Sequence, residues 1–528
     1  MFIFLACVIF LQIKQFQEIA MYDKDRTIPF FTDHETTSQQ LFSHLYEACN
    51  ILRGPINQDE YKSYITPILF FKRICDVYDE ETQTLLDSTG DKEFAALPEN
   101  HRFIIPDGCH WNDIRNAMTD IGKIISDAMR GIETANPYTL HGIFSSFDDA
   151  KWTDKTKLTD ERLKDLVEHM SKIKVGNKNY SSDVMGDSYE FLIKKFADLS
   201  KRNAGEFYTP REIVKLLIML LSPNAGETVY DPACGTGGML IEAIHYIGND
   251  ISAYGKIYGQ ENNLATSSIA RMNLFLHGAN DFHIAQGDTL RYPRYTEGGK
   301  LKTFDCVVAN PPFASKNWGA DIFSTDIYGR NIWGCPTDSN GDFAWLQHMA
   351  VSMSPINGRC AVILPQGVLF RGGKDEEIRR NLINSGKLEC VISLAGGVFY
   401  STGVSACVIF IRNSKHESHQ GRVCMIDASG IFTPQRAQNI MTEDDVKKVF
   451  SLYENYHDVP EFCRIVSFSE IREKNYTLAV NNYIAKEEQN SLTPAEIRRN
   501  YYEAYSDVVS AEDTMRTLLL EGGYLHEN

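Results

Sequence analysis

A chain of 528 residues exceeds what one hydrophobic core serves, so two or three domains are expected. Hydrophobic residues make up 43% and charged residues 23%, which excludes a disordered chain. The formal charge of -17 excludes a protein that grips nucleic acid unaided, leaving room for a local basic groove or a basic partner. The 12 cysteines form no C-x-x-C pair, so zinc ribbons and disulfide frameworks are excluded and a reducing cytoplasm is expected.

The chain opens with "MFIFLACVIFLQ", an apolar run too short to span a bilayer. With no basic leader before it and a second methionine at Met21, residues 1–20 read as an extension in front of the working protein. No membrane association is expected.

Residues 21–199 read as a helical domain. "LFSHLYEACNIL" and "YKSYITPILFFKRICDVYDEE" carry apolar residues three and four apart, the mark of amphipathic helices. "WNDIRNAMTDIGKIISDAM", "ERLKDLVEHMSKI" and "SSDVMGDSYEFLIKKFADLS" continue the pattern, and nothing here reads as a chemical site.

From residue 200 to 441 strands alternate with helices, predicting a largely parallel sheet covered on both faces. "KLECVISLAG" and "ACVIFIRN", the last strands of the pattern, have no helix between them and are expected to pair antiparallel. Residues 442–528 return to polar helical segments. There Ile497, Tyr501, Tyr505 and Val508 share one stripe, suited either to the chain's own body or to a partner.

The chemistry begins at "YDPACGTGGM". Gly235, Gly237 and Gly238 stand between a strand and a helix, where bare backbone admits a polar ligand. Asp231 just before the turn would repel a pyrophosphate but accept bonds from an ammonium group. The missing Gly-Lys-Ser/Thr excludes a P-loop. Glu261 closes the next strand and reads either as an acceptor for ribose hydroxyls or as a helix cap. Asp288 ends the third, either facing an adenine amino group or shaping a turn. Three acids at the carboxyl ends of successive strands mark where open α/β sheets bind ligands.

"VVANPPF" completes the set. Two prolines stop the strand and expose carbonyls, so the Asn310 side-chain oxygen and the Pro311 carbonyl converge on one spot. That pair suits a planar exocyclic amino group; Pro312 stiffens the turn and Phe313 can stack on the ring bearing the amine. No Pro-Cys dipeptide exists, so a cysteine-nucleophile route to 5-methylcytosine has no attacking thiol.

"DPACGTGG" followed by "NPPF" resembles the amino-methylating, S-adenosylmethionine-dependent DNA methyltransferases, and most closely the modification subunits of type I restriction-modification systems. "GEFYTPREIVKLL" and "DFAWLQHMAVSMSPINGRCAVILPQGVLFRGG" carry the likeness outward, while "SLAGGVFY" departs where the family has Leu-Pro. The resemblance implies a Rossmann-like methyltransferase sheet, mostly parallel with an antiparallel last strand, behind an all-α amino-terminal domain. It implies S-adenosyl-L-methionine as cofactor. Glu206, Phe207, Tyr208, Thr209 and Pro210 would line its methionine end. Asp231, Gly235, Thr236, Gly237 and Gly238 would hold its amino-acid part, Glu261 its ribose and Asp288 its adenine. Asn310, Pro311, Pro312 and Phe313 would form the catalytic turn, methylating N6 of an adenine flipped from double-stranded DNA.

The implied partners are a specificity subunit, contacted by residues 442–528, a restriction subunit and a second copy of the chain. Two other readings fit parts of the pattern: methylation of a protein glutamine, and a non-catalytic assembly subunit. The acid at 231 argues against a nicotinamide dehydrogenase.

Overall fold

The computed structural model describes residues 33–147, 150–199, 209–248, 255–279, 281–399, 404–435, 439–485 and 494–522. The leading apolar run, Met21, and the site candidates Glu206, Phe207 and Tyr208 lie outside them.

The helical front end is built around α2 (Tyr61–Thr89), whose residues 64–77 are buried without a break. A helix buried on every face needs neighbours all round. α1 (Asp33–Leu52) and α5 (Ser182–Leu199) pack directly on it, and α3 (Ile121–Ala135) and α4 (Asp160–Ser171) complete the same core. Gly90 stops α2 in the left-handed conformation, φ 68°, its N–H closing on the Leu86 carbonyl at 2.8 Å.

The second body is one nine-stranded sheet. In chain order its elements are α6 (Arg211–Leu221), β1 (Val229–Asp231), α7 (Gly238–Ile247), β2 (Ile257–Glu261), α8 (Leu264–Leu276), β3 (His283–Gln286) and β4 (Cys306–Ala309). There follow α9 (Asp342–Val351), β5 (Arg359–Pro365), α10 (Lys374–Asn384), β6 (Leu388–Leu394), β7 (Ala406–Arg412), β8 (Arg422–Ala428), α11 (Glu443–Asn455) and β9 (Cys463–Ser467). The strand order is β9-β8-β6-β7-β5-β4-β1-β2-β3. β3 to β5 run parallel, and β7 is inserted antiparallel between β5 and β6. Strands such as "CVVA" and "ACVIFI" are buried on both faces, as a sheet covered by helices requires.

The mostly parallel sheet and the antiparallel β6–β7 pair are as expected, but β7 is not the last strand. β8, beyond the last strand named from sequence but still within residues 200–441, and β9, antiparallel at the edge and inside residues read from sequence as helical, extend the sheet. Five residues with interrupted burial offer too short an apolar run to announce an edge strand. Past β9, the long helix α12 (Pro494–Glu521) keeps almost all of its described side chains exposed.

The two bodies share α8. Ile269, Met272, Phe275 and Leu276 enter the core of the helical domain, while Ala270 and Leu274 enter that of the sheet. Among the described residues no helix is long and apolar enough to cross a membrane.

Candidate active site

β1 ends at Asp231 and α7 starts at Gly238, so six residues must reverse the chain. Gly235 and Gly237 do so with φ of 52° and 86°, a region where a side chain is strained. The turn is tied down from behind. The Cys234 N–H reaches the Gln260 carbonyl at 3.0 Å, and the Asn273 amide reaches the Thr236 carbonyl at 3.0 Å. A side chain at Gly238 would meet nothing within 4 Å, so the start of α7 opens onto free space.

The three acids stand at the carboxyl ends of β1, β2 and β3. Asp231 is buried and accepts the Ala233 N–H at 2.9 Å. Burial, with Glu261 nearby, pushes its carboxyl up to about 8. Glu261 accepts the N–H groups of Gly235 at 3.1 Å and Asn263 at 2.7 Å, and burial raises it as well. It therefore braces the glycine turn while facing the cleft. Asp288 accepts from the Leu290 and Arg291 N–H groups, shaping the turn after β3.

At the end of β4 the Asn310 amide nitrogen donates to the Thr209 hydroxyl at 2.9 Å. Its Oδ1 is buried and finds no hydrogen-bond partner among the described residues. Leaving such an acceptor unmade costs about 1–3 kcal/mol. Pro311 is buried and Pro312 exposed. Phe313 is half-buried and meets Phe399 edge to face at 6.1 Å, so the segment that departs from the family pattern walls the Asn310–Phe313 turn.

Two cavities meet at Ala233 and Asn310. A cleft of about 430 Å³ is lined by Glu261, Asp288, Asn310, Pro312 and Trp345. A narrower chamber of about 60 Å³ lies behind the glycine turn, bounded by Glu190, Thr209, Arg211, Asp231, Glu242 and Asn310. Every described site candidate with a side chain to offer a ligand, apart from Phe313 and the buried Pro311, thus faces one connected space; Pro210 caps α6 beside it.

The sequence reading missed several contributors. Asp342 accepts the Ala314 N–H at 2.8 Å and the Arg371 guanidinium at 2.7 Å, and Arg371 also pairs with Asp375 at 2.7 Å. This chain of charges fixes the residue after Phe313. Trp345 is buried on the cleft wall with its indole N–H unpartnered among the described residues. Glu190 enters from a helix that carried no chemical motif. Arg211, Asp342, Trp345 and Arg371 lie inside the two segments that carry the family likeness, which was the signal that could have found them. The segment from Ala314 to Asn340 is a packed excursion. Arg330 is wholly buried in it and pairs with Asp326 at 2.6 Å.

Comparison with known proteins resolves what this geometry serves. A family model described as N-6 DNA Methylase matches residues 180–491, more than half of the chain. The chain belongs to the N-6 DNA methylase family. A second model, the HsdM N-terminal domain, matches residues 41–170. The chain is 30% identical over 400 residues to the Type I restriction enzyme HindI methylase subunit of Haemophilus influenzae, spanning 70% of this chain and 84% of that one. It is 27% identical over 520 residues to the MjaVIII methylase subunit of Methanocaldococcus jannaschii, spanning 93% and 85%. The crystal structure of a type I restriction-modification methyltransferase subunit from Streptococcus thermophilus superposes with a TM-score of 0.74 at 27% identity, covering 85% of this chain and 100% of that one. The chain is thus an adenine-specific DNA methyltransferase of the type I modification-subunit kind, and the glutamine and non-catalytic readings give way.

Proposed function

We propose that Asn310 and Pro311 hold the N6 amino group of an adenine extruded from duplex DNA, facing S-adenosyl-L-methionine bound along the glycine turn. One observation carries this reading: the buried, unpartnered Oδ1 of Asn310 beside the cleft. A buried acceptor without a partner is retained where a ligand supplies the donor.

The residues present suit that cofactor. Asp231 offers a carboxylate to an ammonium, Gly235 to Gly238 offer bare backbone, Glu261 suits ribose hydroxyls and Asp288 an adenine amino group. Thr209 and Pro210, with Glu206 to Tyr208, would close its methionine end. When bound, S-adenosyl-L-methionine supplies the electrophilic methyl group.

The chain's own work is orientation. Oδ1 of Asn310 accepts one N6 hydrogen and the Pro311 carbonyl the other, which turns the nitrogen lone pair away from ring resonance. Pro312 keeps the two acceptors rigid, and Thr209 fixes the carboxamide so that its oxygen faces the cleft. Holding both reactants in line supplies several kcal/mol toward the barrier. Extruding the base costs about a few kcal/mol, offset in part by stacking on Phe313. After transfer, the proton lost from N6 leaves along Oδ1 to water.

Sequence reading is assigned to a separate specificity subunit, because a net charge of -17 leaves no broad basic surface for base edges. On α12, Tyr501, Tyr505 and Val508 are 63%, 58% and 56% exposed, an apolar stripe suited to a helix of that subunit. A second copy of the chain and a restriction subunit complete the assembly.

Co-expression with the neighbouring specificity subunit, followed by nucleoside analysis of the DNA, tests this. The intact chain is expected to yield N6-methyladenine, and Asn310→Ala to yield almost none. Equal yields would overturn the role of Asn310, and methylated protein with unmodified DNA would restore the glutamine reading.

A further inference from the structure

The chamber beside the glycine turn is not built by the sheet and its covering helices alone. One wall belongs to α5 of the helical domain, and the residue it presents is Glu190. Local sequence explains how it arrives there. Tyr189 is buried and its hydroxyl reaches the Met272 sulfur at 3.4 Å, locking α5 onto α8. One turn earlier, Gly186 lies flat against the His277 ring. A side chain there would stand 2.2 Å from the ring, so only glycine lets the helices approach so closely. That approach carries Glu190 into the chamber, with its side chain 16% exposed.

Among the described residues Arg211 is the one cation lining this chamber, and Glu190 shares its charge with Asp187. The Glu190 Oε1 stands 3.8 Å from His277 Nε2, but burial, with His245 and Arg211 adding to it, pushes His277 down to about 3. The ring is neutral, and among the described residues neither of its nitrogens has a hydrogen-bond partner. Arg211 pairs with Asp187 at 3.1 Å, one turn away on α5. Glu242 and Asp231 add two further carboxyls to the same walls. Burial, opposed by Arg211 and reinforced by Asp187 and Glu242, pushes the Glu190 carboxyl up to about 7. A chamber walled by three carboxyls and one guanidinium is the complement of a ligand carrying one ammonium and one carboxylate.

We infer that Glu190 is a cofactor-binding residue supplied by the helical domain, taking the α-ammonium of the cofactor together with Asp231 while Arg211 takes its α-carboxylate. This rests on the assignment of S-adenosyl-L-methionine to the glycine turn and extends it. The helical domain is then part of the cofactor site, and cofactor binding clamps the two domains together across α5.

Titration calorimetry on the full chain, with ligands that differ only in the tail, tests this. S-adenosylhomocysteine carries the tail and 5′-methylthioadenosine lacks it. Glu190→Gln is expected to weaken S-adenosylhomocysteine by about ten- to hundred-fold, the loss of one charged hydrogen bond, and to leave 5′-methylthioadenosine within two-fold of the parent. A purely structural role would weaken both ligands alike, and that result overturns the inference, as does unchanged affinity for both. Arg211→Met supplies an independent arm: it is expected to bind S-adenosylhomocysteine poorly while keeping its affinity for decarboxylated S-adenosylmethionine. Equal losses there would contradict the assignment of Arg211. Binding by the parent chain with no effect of Glu190→Gln removes only this inference, whereas no binding by the parent chain removes the cofactor assignment with it.

Discussion

Asp76 in the helical domain and Asp231 at the rim of the sheet are both buried carboxyls, yet their surroundings are opposite. Asp76 is enclosed by partners: the Lys72 ammonium one turn back on α2 and the Val175 N–H at 2.7 Å. Beside it Arg73 is spent on the carbonyls of Val175 and Tyr180 and on Asn177. Asp231 accepts one short-range N–H and faces two further acids across an open chamber. The first arrangement satisfies charge to hold a fold. The second leaves charge unsatisfied, as a site awaiting a cation does.

If that contrast is right, substitutions at the two places have different consequences. The largest expected effect is Asp76→Ala, which strands Lys72 and the Val175 N–H. It is expected to lower unfolding stability by about 3–5 kcal/mol in denaturant titrations, while methylation per folded molecule is kept.

At Asp231 the effect is one of pH. Its folded pKa is about 8, above the ordinary carboxyl value near 4, so the folded state holds this proton more tightly. Its contribution to stability is full below about pH 4 and is lost as pH rises through about 8. An ammonium in the chamber reverses this by favouring the carboxylate. Cofactor binding at pH 7 is therefore expected to release roughly one proton, drawn from Asp231 and Glu190 together. Calorimetry in two buffers of different ionisation enthalpy reads that number. A value of zero would mean that no cation enters.

The smallest effect is expected at the other end of the chain. Removing α12 by truncation after Ala485 is expected to shift the melting temperature by less than about 2 °C, because its stripe is exposed. The truncated chain is expected to lose co-purification with the specificity subunit. A large fall in melting temperature would place the stripe against the chain's own body instead.

How much of this could be read beforehand depended on how local each signal was. The strand–turn–helix at Asp231 to Gly238 and the Asn310 to Phe313 turn are fixed by glycines, prolines and an apolar run next to one another, so residue order alone exposes them. β9 was illegible because an edge strand of five residues is stabilised by its register on β8 rather than by its own pattern. Glu190 was hidden for a similar reason. In "YEFLIKK" it reads as one acid on an amphipathic helix, and the close packing of Gly186 on His277 brings it to the chamber wall. Asp342 and Arg371 brace the Asn310–Phe313 turn across 29 residues of chain, a distance no local pattern spans.

Single-turnover methyl transfer, with cofactor saturating and the specificity subunit present, tests the role of Asn310 most directly. Asn310→Ala is expected to slow the transfer step by about 10²- to 10³-fold while cofactor affinity and melting temperature stay at parental values. A rate within a few-fold of the parent, at equal cofactor occupancy, would contradict it.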